Sequence, residues 1–337
     1  MKHGPSNTRD SLGERELIAA IRARTPTAAW LTIGIGDDAA VAEPARGALE
    51  ILTTDALVES VHFDRRLSSP ADIGWKALAV NLSDVAAMGG TPRLALLSLG
   101  VPEHMDGREV NELVDGFLEL ASQNGVVLAG GNVTRSPGPL FVDVTVTGFA
   151  RRRNVLTRSG GRSGDDVYVS GTIGAAAAGL SWWKESGDAK ELAGFQECIE
   201  RHRRPQPRTR LGALLGRNRA ASACMDLSDG LADAVRQVAE ASGTGARIDA
   251  SLLPIDPAVR EWFSRRGLDA AAAAAAGGDD YELLFTVPRR RRGRLATVVR
   301  QARGVSVTRI GALTAEPGVF LVRGEASEPL PAGFVHF

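Results

Sequence analysis

The sequence predicts an α/β or α+β protein of two domains, and three observations carry that reading. Segments with helical and strand-like patterns alternate through both halves of the chain. The 337 residues suffice for two domains of ordinary size. A basic run, Arg151-Arg152-Arg153-Asn154, breaks the composition after a strand-like segment, and the boundary placed there gives domains 1–150 and 151–337.

The elements run in order. Ser11 to Arg24 opens the chain as a helix, because Ser11 with Glu14 is a capping-box signal and Leu17, Ile18 and Ile21 share one face. Ile33 to Ala42 is a Gly-Asp turn region, and Glu50 to Thr54 is a short strand ending in Thr53-Thr54-Asp55. Pro70 to Met88 is a helix rich in small residues, closed by Gly89-Gly90. Leu94 to Val101 is an apolar strand. Gly107 to Asn124 is an amphipathic helix with Gly125 at its C-cap. Val126 to Ala129 is a strand that runs into a turn at Gly130-Gly131-Asn132, and Leu140 to Phe149 alternates as a strand should.

The second half restarts with a strand at Asp166 to Ser170, then Gly171-Thr172-Ile173-Gly174 and an alanine-rich helix. Arg208 to Gly216 and Leu231 to Ser242 are further helices, and Asp226-Leu227-Ser228-Asp229-Gly230 precedes the second. Ala270 to Ala276 is a helix end, since alanine is the best helix former. Glu282 to Val287, Val305 to Leu313 and Val319 to Val322 read as strands. The run Arg289 to Arg292 opens a helix and is expected to be a solvated face, with phosphate binding as the alternative.

Composition excludes several classes. Hydrophobic residues at 44% and charged residues at 24% are ordinary for a globular protein with a sizeable core. Lys+Arg 40 balances Asp+Glu 40, which argues against a general nucleic-acid binder. Cys198 and Cys224 are the two cysteines, too far apart for a metal motif or a disulfide framework. Met1 to Arg9 is polar, and no apolar run approaches membrane-spanning length. A cytoplasmic protein without membrane partners is expected.

The chemistry is expected where aspartate meets glycine turns and strand ends: Asp37-Asp38, Asp55, Asp84, Asp226 with Asp229, and Asp279-Asp280. Asp84 stands inside Ala77 to Met88, a segment that must pack closely, and a carboxylate there is costly unless paired or metal-bound. Carboxylates without His or Cys clusters suit magnesium, which uses few protein ligands and leaves room for water and phosphates. A single Asp-Gly pair is as well read as a turn or helix N-cap, and Asp229-Gly230 is the strongest such case. No Gly-x-x-x-x-Gly-Lys-Ser/Thr occurs, and Gly34-Ile35-Gly36 lacks the third glycine of a dinucleotide fingerprint. Gly171 to Gly174 suits either an anion site or a tight turn. No nucleophile elbow is present, and metal-centred phosphoryl chemistry needs none.

Taken together these segments resemble the thiamine-monophosphate kinase family. The matching stretches are Gly34 to Ala39, Thr53-Thr54-Asp55 with Val61-His62-Phe63, Lys76 to Asp84 through Met88-Gly89, Leu156 to Gly160, Met225 to Leu231, Gly277 to Leu283 and Gly333 to Phe337. They occur in order and cover nearly the whole chain. The resemblance implies the fold shared with aminoimidazole ribonucleotide synthetase: an N-terminal domain that forms a homodimer through its sheet and binds ATP and magnesium, and a C-terminal α/β domain that completes the nucleotide and substrate site between the domains. It also implies ATP-dependent phosphorylation of thiamine monophosphate with several magnesium ions and no general base. By the motif matches, Asp38, Thr53, Thr54, Asp55, Asp84, Asn132, Asp226 and Asp229 are the implied metal ligands. Gly131, Asn132, Arg158 and Ser228 are the implied nucleotide contacts, and His62, Asp279 and Phe334 the implied substrate contacts. For His62 and Phe334 the residues alone favour a satisfied histidine and a core aromatic. Two positions depart from the family pattern: Asn132 stands where Asp is usual, and Ser60 where Gly is common. The alternatives are another ATP-using enzyme of the superfamily or a non-catalytic nucleotide-sensing dimer. Selenophosphate synthetases carry an N-terminal Cys or selenocysteine and the hydrogenase-maturation relatives end in Cys, and this chain shows neither.

Overall fold

In the computed structural model, residues 14–186 and 195–333 are described. They form two compact units. The first draws on Thr53–Asn81, Arg93–Thr147 and the described part of Met1–Ala45; the second on Arg46–Leu52, Leu82–Pro92 and the described part of Gly148–Phe337. The chain runs α1 (Glu14–Arg24), β1 (Leu31–Ile33), β2 (Val41–Ala42), β3 (Leu49–Val58), α2 (Pro70–Ala87), β4 (Thr91–Pro102), α3 (Gly107–Asn124), β5 (Val127–Ser136) and β6 (Phe141–Ala150). It continues through β7 (Asp166–Ser170), α4 (Ala175–Ser186), α5 (Gln196–Arg203), α6 (Thr209–Arg217), β8 (Ala223–Asp226), α7 (Leu231–Ser242) and β9 (Gly245–Asp249). The remainder is α8 (Pro257–Arg265), α9 (Ala270–Ala276), β10 (Leu283–Val287), α10 (Arg292–Ala302), β11 (Val307–Thr314), β12 (Val319–Arg323) and β13 (Ala326–Pro329).

Helix α3 shows how local chemistry sets the elements. Val110, Leu113, Val114, Phe117, Leu120 and Ala121 recur at helical spacing and are buried. Each large side chain so buried is worth about 1.5–3 kcal/mol. Asp106 and Glu109 form a capping box at the start, and Gly125, at φ 66°, ends the helix in the left-handed region.

A four-stranded sheet has the order β3-β6-β4-β5, with β4 and β5 parallel. Along β6, Val142, Val144 and Val146 are buried, while Asp143, Thr145 and Thr147 alternate with them on the other face. Pairing of β4 with β5 shifts by one residue, because Ala95 opposes Leu128 but Leu96 opposes Gly130. Ala129 is thus the extra residue of a β-bulge, which re-aims the side chains after it.

The strand expected at Val126 to Ala129 therefore does not stop at the glycines. It passes through Gly130-Gly131-Asn132 to Ser136, with Asn132 opposite Ser98. Gly131 is required there by close approach: a Cβ would stand 1.8 Å from the Leu97 carbonyl oxygen. Strand β3 also overruns its expected end at Asp55 and continues to Val58.

The second unit holds a seven-stranded sheet, β13-β12-β9-β11-β7-β10-β8, antiparallel except for the β12–β9 pair. Two acids lie in its interior. Asp166 accepts from Arg292 at 2.6 Å and from Arg309 at 2.7 Å. Glu282, fully buried, accepts from Arg208 Nε at 2.7 Å, from Arg201 at 3.1 Å and from the Ser170 hydroxyl. The alanine run forms α9 as expected, while Arg289–Arg291 is a single 3-10 turn before α10. Among the described residues, no helix is long and apolar enough to cross a membrane.

Candidate functional site

In the first unit, the Gly-Asp segment and the middle of the sheet enclose a cleft of about 690 Å³, lined by Gly34 to Ala40, Leu96 to Leu99 and Gly130 to Val133. The structure thus brings together Asp38, Gly131 and Asn132, three of the residues singled out in the sequence. Asp38 lies in the turn between β1 and β2, and its backbone N–H donates to Asp37 Oδ1 at 2.8 Å. Asp37 therefore serves the turn. Asn132 is exposed on the cleft wall, aimed there by the bulge at Ala129.

On β3, side chains alternate between faces, so Thr53 and Asp55 share one face and Thr54 takes the other. The Thr54 hydroxyl lies 3.1 Å from the Thr145 hydroxyl and 3.3 Å from Asp143 Oδ1. Thr145 also lines the cleft. The turn after β3 is tight: Ser60 N–H donates to the Phe63 carbonyl at 2.8 Å, and Ser60 sits at φ 69°. The left-handed conformation explains why a glycine suits position 60. His62 is half-buried; its Nδ1 accepts the Val58 N–H at 3.0 Å, and its carbonyl accepts from Lys76 Nζ at 3.3 Å. This Nδ1 bond fixes the ring beside the strand and makes Nε2 the protonated nitrogen of the neutral imidazole.

In the second unit the candidate residues collect at the carboxyl end of β8. Asp226, its last residue, is buried, and Oδ2 accepts from Ser83 Oγ at 2.7 Å. Ser83 and Asp84 stand near the end of α2, where Asp84 is half-buried. Asp84 is thus neither a turn residue nor a cap. The reading of Asp229 as the cap of α7 also fails: the N-cap position is Gly230, and no side chain caps the helix. Gly230 has φ 95°, and a Cβ there would stand 2.7 Å from the Gly277 carbonyl oxygen. That close approach marks two loops held against each other. Asp279 N–H donates to Ser228 O at 2.8 Å, Tyr281 N–H to Leu227 O at 3.0 Å, and Leu227 N–H to Glu282 O at 2.8 Å. Asp226, Ser228, Asp229 and Asp279 are thereby placed on one pair of loops.

The second loop is strained. Asp279 has φ 67° and Tyr281 φ 49°, the latter a genuine outlier for a bulky residue. Such backbone persists only where its surroundings hold it, and it concentrates at ligand sites. Asp279 Oδ2 is 3.2 Å from His202 Nδ1, and Oδ1 accepts from the Tyr281 hydroxyl at 3.1 Å. Between them Asp280 is buried and accepts from Gly174 N–H at 2.6 Å and Ala176 N–H at 3.3 Å, at the start of α4. Burial pushes its pKa up to about 7, against the opposing pull of Arg201 and these two N–H groups. Gly171 to Gly174 is therefore filled by the protein's own carboxylate. Of the two sequence readings of that turn, the structural one holds.

Arg158 is exposed, and its guanidinium donates to Gln237 Oε1, while Gln237 Nε2 donates to Asp233 at 2.6 Å. Phe334 lies outside the described residues. Ser83, His202 and Glu282 are supporting residues that the sequence reading did not single out. Ser83 and Glu282 fall inside the motif stretches, Ser83 next to Asp84 and Glu282 two residues after Asp280, a usable signal. His202 stands in a basic helix with no signal of its own.

The donor set tests whether magnesium suits these residues. Among the described residues, no three His, Cys, Asp or Glu side chains converge as a self-sufficient metal cage. Magnesium does not need one: it binds through one or two carboxylates and completes its shell with water and phosphate oxygens. The oxygen-only pairs found here, Asp38 with Asn132 and Asp226 with its neighbours, fit that habit.

Known proteins share this fold. Residues 36–150 match the family of AIR synthase related proteins, N-terminal domain, and residues 162–324 match its C-terminal domain. A thiamine-monophosphate kinase of Escherichia coli (strain K12) is 38% identical over 330 residues, 96% of this chain and 98% of that protein. The crystal structure of thiamine-monophosphate kinase from Stenotrophomonas maltophilia K279a superposes with a TM-score of 0.83 at 40% identity, covering 92% of this chain and 96% of that one. AaThiL complexed with AMPPCP and TMP superposes with a TM-score of 0.76 at 33% identity, covering 97% of each chain.

Proposed function

The chain belongs to the thiamine-monophosphate kinase family, and from that premise we propose that it transfers the terminal phosphoryl group of ATP to thiamine monophosphate, giving ADP and thiamine diphosphate. The observation that carries this is the loop pair at the end of β8, where strained backbone holds Asp226, Ser228, Asp229 and Asp279 together. AaThiL has been seen with AMPPCP and TMP, which supports both substrates.

The attacking group is a phosphate oxygen, anionic at neutral pH, so no general base is needed and none is assigned. What the protein must supply is positioning and charge neutralisation. In this reading Asp38, Thr53, Thr54, Asp55, Asp84, Asn132, Asp226 and Asp229 would hold magnesium, which would supply charge screening between the two polyanions. Ser83 orients the buried Asp226 carboxylate through its 2.7 Å bond. Gly131, Asn132, Arg158 and Ser228 contact the nucleotide. His62, Asp279 and Phe334 contact thiamine monophosphate, Asp279 offering charge to the cationic ring and Phe334 a stacking face. Residues 1–150 form the domain for ATP, magnesium and dimer formation, and residues 151–337 the domain for further nucleotide and substrate contacts. The exposed Phe141 of β6 supports a homodimer through the sheet face of the first unit. Two buried, unpaired thiols, Cys198 and Cys224, favour the cytoplasm.

The test is ADP release with magnesium in the presence of thiamine monophosphate, thiamine or no acceptor. Release that requires thiamine monophosphate is expected. Equal turnover without it would overturn the assignment.

A further inference from the structure

The arginine run before α10 does not behave as one solvated face. Arg292 turns inward to the buried Asp166 at 2.6 Å. Arg290 and Arg291 instead line a cavity of about 260 Å³, together with Arg153, Arg162 and Arg219. Among the described residues Asp165 is the one acid in that lining, and its Oδ2 already accepts from Ser222 Oγ at 2.7 Å and from the Arg162 N–H at 3.1 Å. Among the described residues, none of the five guanidinium groups has a carboxylate at ion-pair distance. Arg291 Nη1 donates to the Ala221 carbonyl at 2.9 Å.

The cavity lies away from the aspartate-bearing loops. It is lined by Asp165, just before β7, by Ser222, just before β8, and by Pro288, just after β10. Strand β10 is antiparallel to both neighbours, so these three positions share one end of the sheet. Asp226 and Asp279 mark the other end. At roughly 3.3 Å per residue, the length of β8 with its flanking residues separates the two by on the order of 15 Å.

From this arrangement we propose that the cavity binds a diphosphate group. Five cations against one committed acid demand a multiply charged anion. A space of about 260 Å³ leaves room for more than one phosphate group. Arginine forks match phosphate oxygens in pairs, and the backbone at Gly160 and Gly216 adds to the lining. Crowding of like charge supports the same conclusion: desolvation, then Arg290 and Arg294, hold the Arg291 pKa below its ordinary value, and a bound anion would relieve that. The diphosphate group could arrive as the inorganic ion or as part of an organic ester, and the chemistry of recognition is shared.

The test is calorimetric titration of inorganic diphosphate into the full-length protein with EDTA and 0.15 M salt. Without divalent cations the aspartate-bearing loops repel the ligand, so binding reports the arginines. Saturable binding to wild type is expected, with orthophosphate at least about tenfold weaker. Arg219→Ala and Arg290→Ala should each weaken diphosphate binding by about tenfold or more, with an unchanged melting profile, while Glu261→Gln, an exposed change on α8, binds as wild type. ADP titrated in a parallel arm separates the sources: affinity equal to inorganic diphosphate, and equally lost in the two variants, assigns the site to esters as well. No binding to wild type, or binding unaffected by either arginine variant, would overturn the proposal. So would tighter binding of a single-stranded oligonucleotide, which would make the patch a nucleic-acid surface.

Discussion

Replacing Glu282 by Gln should be the most damaging single-atom-scale change in the second unit. The carboxylate is fully buried and compensates two guanidinium groups, Arg208 at 2.7 Å and Arg201 at 3.1 Å, while also accepting from Ser170. Glutamine keeps the shape but removes the charge and places an N–H₂ among donors. Removing one partner of a buried ion pair typically costs about 3–5 kcal/mol, because the remaining charge is left buried without compensation. Ser170 Oγ also accepts the Leu283 N–H at 2.9 Å, so the loss reaches the backbone of β10. A control of like chemistry is Glu261→Gln, whose partner Arg265 is 74% exposed and lies one helical turn away. That pair is worth at most about 0.5 kcal/mol. Urea denaturation followed by circular dichroism on both variants and wild type gives the comparison. Adding Arg208→Met to Glu282→Gln should recover part of the loss. A Glu282→Gln effect no larger than that of Glu261→Gln would refute the reasoning, since it would mean that the half-buried guanidinium groups find other compensation.

Further outcomes rest on the same geometry. Asp84→Asn and Asp229→Asn should each lower turnover by about a hundredfold or more while the circular dichroism spectrum is kept, since each carboxylate is proposed to hold magnesium where charge develops; near wild-type rates would remove that residue from the metal set. Asn132→Asp adds a charge to the cleft shared with Asp38 and should lower the magnesium concentration for half-maximal rate; an unchanged or higher requirement would show that Asn132 serves the nucleotide instead. Ser60→Gly should raise the melting temperature slightly, because relief of the left-handed strain, about 1–2 kcal/mol, exceeds the extra chain entropy of glycine, about 0.5–1 kcal/mol; a fall would show that the Ser60 side chain contributes more than the strain costs. Asp280 has a native pKa near 7 against an ordinary 3.8, so the native state keeps a proton that the unfolded chain releases. Its contribution is full below about 3.8 and is lost as pH rises through about 7. Stability of Asp280→Asn relative to wild type should therefore improve from pH 4 to pH 8, and a constant difference between the two denaturation midpoints across that range would contradict the burial argument.

Much was legible before the fold was known. Gly107 to Asn124 was readable as a helix because its apolar residues sit on one stripe and Gly125 supplies the left-handed cap, both local facts. Leu231 to Ser242 is a helix over the expected span for the same reason, with Gly243 as its left-handed cap, while Ala270 to Ala276 is one through the helix propensity of alanine. The aspartates could be chosen because ionisable residues beside glycines in apolar segments are rare unless used. Strand β8 escaped the reading: its four residues are all buried, so Ala223 to Asp226 shows no alternation. So did α5, β9 and β13, which are short, and α8, whose Asp256 cap, Pro257 and apolar Val259, Trp262 and Phe263 were a usable signal.

What only the tertiary structure decided is where long-range partners meet. The bulge at Ala129 exists because β5 must keep register with β4 on both sides of Gly131, and nothing within the strand itself announces it. Asp229 and Asp279 stand fifty residues apart, yet their loops are joined through Ser228 and Leu227. Asp280 fills the turn before α4 because the fold brings a carboxylate to those N–H groups. The Arg289 to Arg292 run divides between a buried aspartate and a cavity because Asp166 and Arg219 approach it from distant segments. Periodicity and caps are nearest-neighbour properties and are written along the chain; the pairing of charges depends on distances that exist only once the sheet has closed.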